Sequence, residues 1–341
     1  QHTGKDSLYQ FQIRPVLQTQ FNASLSSGAS ISEIEPTFNI RRMRFYFYGF
    51  LFDPSVQYKF QLRFESDNQT LYDAALKWHP APGLEFWFGQ ENLPAARSQL
   101  ISLKYLQFVE RSLVHSVFDL QKDIGIWSKY TFNLDDMLFK VAGTLSNGEG
   151  IFRPVETQGM AYTGRVDFLP FGSFVKGGDV KGSDIRREKQ PKLAIGTAYS
   201  YNDEANATRA QQGIVFPDQI TTDIGTLYLD ALFKYRGFSF MSEWIRRTAE
   251  KPVITPDIVV FQGHGISIQS GYVFPNNWEI AVRYAGIRAS NEIEAFRSEQ
   301  DDYTIGLNKY VMDYHFKFQT DITYQNIFGA ESDERFLYRL Q

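Results

Sequence analysis

Short runs in which apolar and polar residues alternate recur along most of the chain. Between Tyr9 and Phe21 the odd positions are mostly apolar, and the even positions mostly carry Gln or Arg. The pattern returns from Arg42 to Leu51 and from Tyr58 to Glu65. A period of two residues places neighbouring side chains on opposite faces of a β-strand. The alternation therefore predicts strands joined as hairpins, here through a tight turn at Asp53–Ser55.

The same pattern predicts about sixteen strands, an even number that is typical of bacterial outer-membrane barrels. They are expected near residues 8–21, 39–52, 56–66, 70–79, 84–91, 122–130, 137–146, 160–169, 192–201, 221–235, 238–247, 262–274, 278–288, 301–311, 315–328 and 334–341. Most of the connectors between them are alternately short and long. Short periplasmic turns and long external loops produce that alternation in an outer-membrane barrel.

Two connectors stand out by their length. Residues 92–121 form the third external connector, and an irregular segment this long usually has a function of its own. In a wide barrel, we expect it to fold inward and narrow the lumen. Residues 170–191 are long although they lie on the side of the short turns. We expect them to form a solvated turn, with a contact to a partner as the alternative.

The strands could also belong to a soluble β-sandwich, such as a carbohydrate-binding domain, because sandwiches alternate too. However, the apolar positions are bulky aromatic and aliphatic residues in strand after strand, which favours a closed belt facing lipid. The opposite face carries Arg, Lys, Glu, Asp and Gln, as a water-filled lumen would. The sequence thus predicts an all-β, transmembrane, antiparallel up-and-down β-barrel over residues 1–341, a single domain with a constriction loop at 92–121.

Composition and charge narrow the choice further. Phe, Tyr and Trp make up 16% of the 341 residues, and aromatic residues are typical of the two interfacial belts of such barrels. The longest apolar run, Phe45–Phe52, has 8 residues, whereas a membrane-spanning helix needs about 18 or more. The formal net charge of -4 argues against a nucleic-acid partner bound through a basic surface.

Motifs for catalysis or cofactor binding are missing from the sequence. The five histidines have no metal-ligand spacing, and no HExxH or Cys/His cluster is present. There is no GxSxG nucleophile elbow, Walker A sequence or GxGxxG turn. We therefore expect no enzymatic activity, no catalytic residue, no metal site and no cofactor.

Fixed charge is the chemistry that remains. By parity, the lumen wall is expected to carry Arg14, Arg42, Arg44, Lys59, Arg63 and Arg283, together with Arg165 and Lys317. The constriction loop contributes Arg97, Lys104, Glu110 and Arg111. Guanidinium groups suit phosphate and carboxylate oxygens, so this set predicts an anion path. The alternative is a mixed-charge wall, in which arginines pair with carboxylates such as Asp167, Asp230, Glu243 and Asp321 to brace the barrel and the loop.

Several segments resemble the phosphate-selective porin O and P family, especially its Bacteroidetes-type outer-membrane porins. They are Gly89-Gln90, Leu93-Pro94, Arg97, the run LQFVERSLV from Leu106, Asp123-Ile124-Gly125, RRMRFYFYG from Arg41, and GLNKYVMDYHFKFQTDITY from Gly306. The resemblance implies a sixteen-stranded barrel in the outer membrane of a Gram-negative bacterium, commonly trimeric, with the third external loop narrowing the pore. Glu91-Asn92 stands where a basic residue is common in the better-known branch, so the preferred solute stays open.

Two functions remain as hypotheses. The first is a porin for passive diffusion of small hydrophilic solutes or ions, with anions such as phosphate among the candidates. The second is a loop-plugged barrel that serves as an accessory or scaffold subunit of a larger outer-membrane complex. The expected partners are outer-membrane lipid and lipopolysaccharide, small ions or solutes, and either two further copies of the chain in a homotrimer or other outer-membrane proteins.

Overall fold

The chain folds into a closed antiparallel β-barrel. The computed structural model describes residues 2–3, 8–26, 34–65, 68–151, 155–329 and 332–341. Within these ranges sixteen strands form the barrel, and a two-residue strand β1 (His2–Thr3) pairs beside the first of them. Parts of the predicted connectors near residues 27–33, 66–67, 152–154 and 330–331 lie outside the described residues.

The barrel strands follow the chain in order, and each pairs with the next. They are β2 (Tyr9–Ser26), β3 (Thr37–Leu51), β4 (Asp53–Glu65), β5 (Asn68–Ala81), β6 (Leu84–Asn92), β7 (Lys122–Leu134), β8 (Met137–Ser146), β9 (Ala161–Leu169), β10 (Lys192–Ala205), β11 (Thr222–Tyr235), β12 (Phe238–Ala249), β13 (Gly263–Val273), β14 (Trp278–Ala289), β15 (Glu299–Met312), β16 (Phe316–Phe328) and β17 (Asp333–Leu340). β17 pairs back onto β2, for example through Leu340 opposite Phe21, and closes the barrel. The predicted fold class and strand number are confirmed.

The short turns use backbone conformations that suit twisted hairpins. Arg236 and Gly237 have φ angles of 49° and 97°, as a two-residue type I′ turn requires. The turn predicted at Asp53–Ser55 lies one residue earlier, at Phe52, whose φ is 65°. Asp53 to Ser55 already belong to β4, because Asp53 pairs with Leu51 across the hairpin.

The burial pattern is the reverse of that in a soluble sandwich. Apolar side chains such as Leu17, Ile305 and Phe318 are 64%, 55% and 52% exposed on the outer face. Charged side chains such as Arg165 and Glu279 are 3% and 0% exposed on the inner face. Only a lipid solvent makes such an outer face favourable. Among the described residues, no helix is both long enough and apolar enough to cross a membrane.

Among the register shifts of the described strands, two β-bulges interrupt the alternation on β3 and β5, on either side of β4. Between β2 and β3, Gln18 pairs with Arg42 and Thr19 with Ile40, so Arg41 is the extra residue. Between β4 and β5, Gln61 pairs with Asp73 and Leu62 with Leu71, so Tyr72 is extra. A bulge shifts the facing of the residues around it and redirects side chains. Both bulges lie where the basic residues of the inner face cluster.

The segment between β6 and β7, residues 93–121, is called the inward loop below. It contains two short helices, α1 (Arg97–Leu100) and α2 (Leu113–Phe118), and a single 3₁₀ turn at Leu103–Tyr105. Ser112 caps α2 by accepting a hydrogen bond from the backbone N–H of His115 at 3.2 Å. The loop contacts inner-face side chains on strands from β3 to β16, which is possible only from within the barrel.

Residues 170–191 are not the solvated turn that the sequence favoured. The Lys234 ammonium donates to the carbonyls of Gly178, Lys181 and Ser183 at 2.8–2.9 Å. The backbone N–H of Gly182 donates to the carbonyl of Tyr105 in the inward loop at 2.9 Å. The segment therefore packs onto the barrel and against the inward loop. These hydrogen bonds satisfy backbone polar groups that the packing removes from water.

Candidate functional site

Arg97 fixes the start of the inward loop to the barrel wall. Its Nη2 lies 2.6 Å from Asp167, and its Nε lies 2.5 Å from Asp230. Arg165 contacts the same two carboxylates at 2.7 and 2.8 Å. Two bases and two acids thus form a buried neutral cluster. A Cβ atom on Gly196 would lie 2.2 Å from Arg165 Nη2 and 2.5 Å from Asp230 Oδ1, so a larger residue there would displace members of the cluster.

Further along, the loop is held by carboxylates on what we call the acidic wall, the inner face of β11 to β16. Glu243 accepts from the backbone N–H of Ser98 at 2.7 Å, and Asp321 accepts from that of Val109 at 2.9 Å. In the opposite direction, wall side chains donate to loop carbonyls: Arg283 to Glu110, and Lys317 to Leu106, both at 2.9 Å. These are charge-assisted bonds, the stronger class of hydrogen bond.

The C-terminal end of α2 is also tied to the wall. Arg247 Nη2 and the Tyr228 hydroxyl donate to the Phe118 carbonyl at 2.8 and 3.0 Å. Gln212, from the connector between β10 and β11, donates to the Asp119 carbonyl at 2.7 Å. The last carbonyls of a helix have no partner within it, and cationic donors satisfy them well. The inward loop is therefore anchored at both ends as well as in its middle.

Burial shifts two ionisable groups at this end of the loop. His115 Nε2 lies 3.4 Å from the Asp119 carboxylate. Desolvation by burial raises the pKa of Asp119 to about 6, and burial lowers the pKa of His115 well below its ordinary value. His115 is consequently neutral at pH 7, whereas Asp119 is largely ionised in a site that disfavours its charge.

Replacing Asp119 with asparagine is expected to stabilise the loop above pH 6. An acid whose pKa rises on folding destabilises the folded form when ionised, so the cost is absent below pH 3.8, grows up to pH 6 and is complete above it. The shift corresponds to about 2–3 kcal/mol at most. Amide hydrogen exchange of α2 from pH 4 to 8, corrected for intrinsic rates, measures this gain. The control is the Asp218→Asn substitution, because Asp218 is an exposed aspartate. Equal protection of α2 at pH 8 in wild type and Asp119→Asn would refute the expectation.

The two sides of the inward loop differ in the space they leave. Against the acidic wall, between Ser98, Phe108 and Glu243, the free volume is about 20 Å³. Against β3 to β5, on the other side, a cavity of about 350 Å³ remains. A single water needs roughly 10–15 Å³ of such volume, so the first gap holds about one water and the second can hold hydrated ions.

We call the larger space the basic cavity. Among the described residues, its lining contains one acidic residue, Asp73, and seven basic ones. The basic residues are Arg41, Arg42, Arg44, Lys59, Arg63, Arg111 and Lys122. The Tyr72 ring lies in the midst of three of these cations, with Arg44, Arg63 and Lys122 at 5.0, 4.7 and 4.6 Å from its centroid. Cation–π contacts of this kind hold guanidinium groups in fixed orientations.

Five of the twelve charged residues predicted from sequence meet in this cavity. They are Arg42, Arg44, Lys59 and Arg63 from the wall and Arg111 from the loop. Arg111 donates to the carbonyls of Ser98 and Ile101 at 3.0 and 2.7 Å. Glu110 bridges Arg41 and Arg42, each at 2.7 Å. Burial disfavours the charge of Glu110, yet the two guanidinium groups outweigh it and hold its pKa below the usual range.

The other predicted residues lie elsewhere. Arg97 is 1% exposed and belongs to the neutral cluster, and Arg283 is buried with its guanidinium 4.5 Å from the Phe108 ring centroid. Lys104 lies half-buried over the Tyr105 ring, and Arg14 lies exposed over the Tyr48 ring, both at 4.7 Å. The predicted residues thus fall into two groups: Arg97 and Arg283 brace the inward loop against the barrel, whereas Arg42, Arg44, Lys59, Arg63 and Arg111 line the basic cavity.

Arg41, Tyr72 and Lys122 also line the cavity, although the alternation pattern did not predict them there. Arg41 and Tyr72 are the extra residues of the two bulges, which parity assigns to the wrong face. Lys122 is the first residue of β7. A basic residue directly after the long loop could have been recognised in the sequence as a lining residue. The strand glycines were a second signal in the sequence. Gly271 and Gly306 lie against Gln107 and Phe108 of the loop, and a glycine within a strand often marks such a close approach.

Lys59 lies where the basic cavity adjoins two others. A cavity of about 330 Å³, the Trp87 cavity, is lined by Lys59, Glu91, Trp87 and Lys129 among others. A third of about 340 Å³, the Tyr48 cavity, is lined by Lys59, Tyr46, Tyr48 and Lys77 among others. Among the described residues, no group of His, Cys, Asp or Glu side chains has the arrangement of a metal site.

Solved structures similar to this chain share its barrel. OprB of Pseudomonas putida at high pH matches over 98% of this chain and 93% of its own, with 10% identity and a TM-score of 0.65. OmpT of Vibrio cholerae matches over 99% of each chain, with 9% identity and a TM-score of 0.58. The outer membrane channel DcaP of Acinetobacter baumannii matches over 99% and 98%, with 10% identity and a TM-score of 0.57. Identities this low show the fold alone.

No curated protein sequence matches the chain. At the level of families, however, the model for phosphate-selective porin O and P matches residues 29–326, which include the inward loop and most of the strands that line the basic cavity. The chain therefore belongs to the phosphate-selective porin O and P family, whose members are channels rather than enzymes in the outer membrane of Gram-negative bacteria.

Proposed function

We propose that this porin gives small hydrophilic solutes passive passage across the outer membrane, with a preference for anions that includes phosphate. The observation that carries the proposal is the basic cavity, where the described lining residues include seven basic side chains and one acidic side chain around about 350 Å³ of open volume. A low-dielectric wall concentrates the field of such a charge set and raises the local concentration of anions.

The three adjoining cavities support a path along one side of the lumen. Lys59 lines all three, and Tyr46, Asn92 and Leu100 each line two of them. We infer that a solute passes between β3 to β8 and the free side of the inward loop. Fast permeation needs binding that is weak and spread over several positions, and a series of cavities lined by separate cations suits this requirement.

Within the basic cavity, the arginines are the residues proposed to contact the solute. The planar guanidinium groups of Arg44, Arg63 and Arg111 present donors in pairs, which suits the oxygens of phosphate or a carboxylate. Among the described residues that line the cavity, seven basic side chains stand against one carboxylate, Asp73. Glu91 and Glu110 lie beside it and pair with Lys59 and with Arg41 and Arg42. The constriction is therefore proposed to select by charge as well as by width.

The test is single-channel recording of the detergent-purified protein in a planar lipid bilayer. We expect steady conductance, a reversal potential directed toward anions under a potassium chloride gradient, and a concentration-dependent block of chloride current by phosphate. A cation-directed reversal potential would overturn the anion preference. Folded barrels without conductance would overturn the porin function and favour a plugged accessory subunit.

A further inference from the structure

Two lysines and two carboxylates form a compact ion network at the junction of the three cavities. Lys59 Nζ lies 2.9 Å from Asp73 Oδ2 and 2.5 Å from Glu91 Oε2. Lys122 Nζ contacts Asp73 Oδ1 and lies 3.6 Å from Glu91 Oε1. The two carboxylates balance the two ammonium groups. The junction is thus neutral, although it lies beside the strongly positive basic cavity.

Lys59 is the member of the network that is open to a solute. Its side chain is 24% exposed, whereas those of Asp73, Glu91 and Lys122 are 4% or less. It also lines all three cavities. A solute that leaves the basic cavity in either direction therefore passes an ammonium group whose partners are protein carboxylates.

Glu91 has other partners that remain if Lys59 turns to a solute. Its Oε1 accepts a hydrogen bond from the backbone N–H of Asn92 at 2.9 Å and faces Lys122. Its contact with Lys59 is made by the other oxygen, Oε2. Breaking that single contact leaves the buried carboxylate still paired, so it avoids the large penalty of an isolated buried charge.

We propose that Glu91 is a specificity-determining residue that acts as a resident anion on Lys59. A permeating anion replaces Glu91 Oε2 at the Lys59 ammonium, while Asp73 keeps the lysine in place, and Glu91 returns as the anion leaves. This exchange weakens the hold of the junction on anions and speeds their release. The inference rests on the proposed anion passage and adds to it the residue that limits how tightly an anion is held.

The test compares two variants that remove the same charge from the same cavity. Glu91→Gln frees Lys59 from its resident anion. Glu85→Gln is the matched control, because Glu85 also lines the Trp87 cavity but accepts a hydrogen bond from Trp87 Nε1 at 2.9 Å and has no contact with Lys59. The measured quantity is the phosphate concentration that halves the chloride current through single channels.

For Glu91→Gln, we expect half-block at an about fivefold lower phosphate concentration, the order of one unit charge acting over about 4 Å in water. For Glu85→Gln, we expect a shift below about twofold, since that charge acts only from a distance. Equal shifts in the two variants, or no shift in Glu91→Gln, would overturn the exchange while leaving anion passage intact. A wild-type channel without conductance or phosphate block would instead refute the proposed function.

A second variant covers the case in which Glu91→Gln does not fold. Glu91→Asp keeps the charge, but its side chain is one methylene shorter and withdraws from Lys59. Half-block at a lower phosphate concentration than in wild type is expected here too. An unchanged concentration in folded Glu91→Asp channels would overturn the role of the contact.

Discussion

An Arg97→Ala variant is expected to release the start of the inward loop from the barrel wall and to raise single-channel conductance severalfold. The change leaves two buried carboxylates, Asp167 and Asp230, with Arg165 as their one remaining cation in the cluster. Removing one partner from a buried ion network typically costs on the order of 3–5 kcal/mol. Arg97 Nη1 also donates to the Asp179 carbonyl at 3.1 Å, so the variant loosens the 170–191 connector as well.

Conductance and noise of single channels measure the release, and amide hydrogen exchange across residues 93–121 locates it. Arg246→Ala is the matched control, because Arg246 is an exposed arginine next to the buried, loop-binding Arg247 on β12. A folded Arg97→Ala barrel with wild-type conductance and unchanged loop protection would show that the remaining anchors suffice. It would also remove Arg97 from the residues that set the width of the passage.

The double variant Arg44→Gln/Arg63→Gln is expected to lose most of the preference for anions. Both guanidinium groups line the basic cavity beside Tyr72, and glutamine keeps a polar side chain there while removing two of seven positive charges. One unit charge at about 4 Å changes an ion's energy by about 1 kcal/mol in water and more in a partly dry cavity. We therefore expect the phosphate concentration that halves the chloride current to rise about tenfold or more.

The reversal potential under a salt gradient gives a second readout, which should move toward zero. The control Arg246→Gln removes an arginine outside the cavity and tests for a general effect of net charge. An unchanged reversal potential in the double variant would mean that ions do not pass through the basic cavity. A shift that Arg246→Gln reproduces would assign the selectivity to the charge of the whole barrel.

The sequence alone determined the class of fold, the strand order and the existence of the inward loop. Alternation sets which face of each strand is apolar, and a chain with sixteen such strands and no long apolar helix has a barrel as its simplest solution in lipid. The positions of Arg42, Arg44 and Lys59 on the inner face followed from the same period. These features are local, because a strand's two faces depend on neighbouring residues only.

The tertiary structure decided which of the charged residues face open space. Arg97 and Arg111 are both loop arginines, yet Arg97 is neutralised by carboxylates on β9 and β11, which lie 70 and 133 residues away in sequence, and Arg111 lines the basic cavity. The bulges at Arg41 and Tyr72 depend on the partner strand. The folding of 170–191 onto the inward loop depends on Lys234 and Tyr105. Such pairings join residues that are distant along the chain, so periodicity, which records only local facing, carries no information about them.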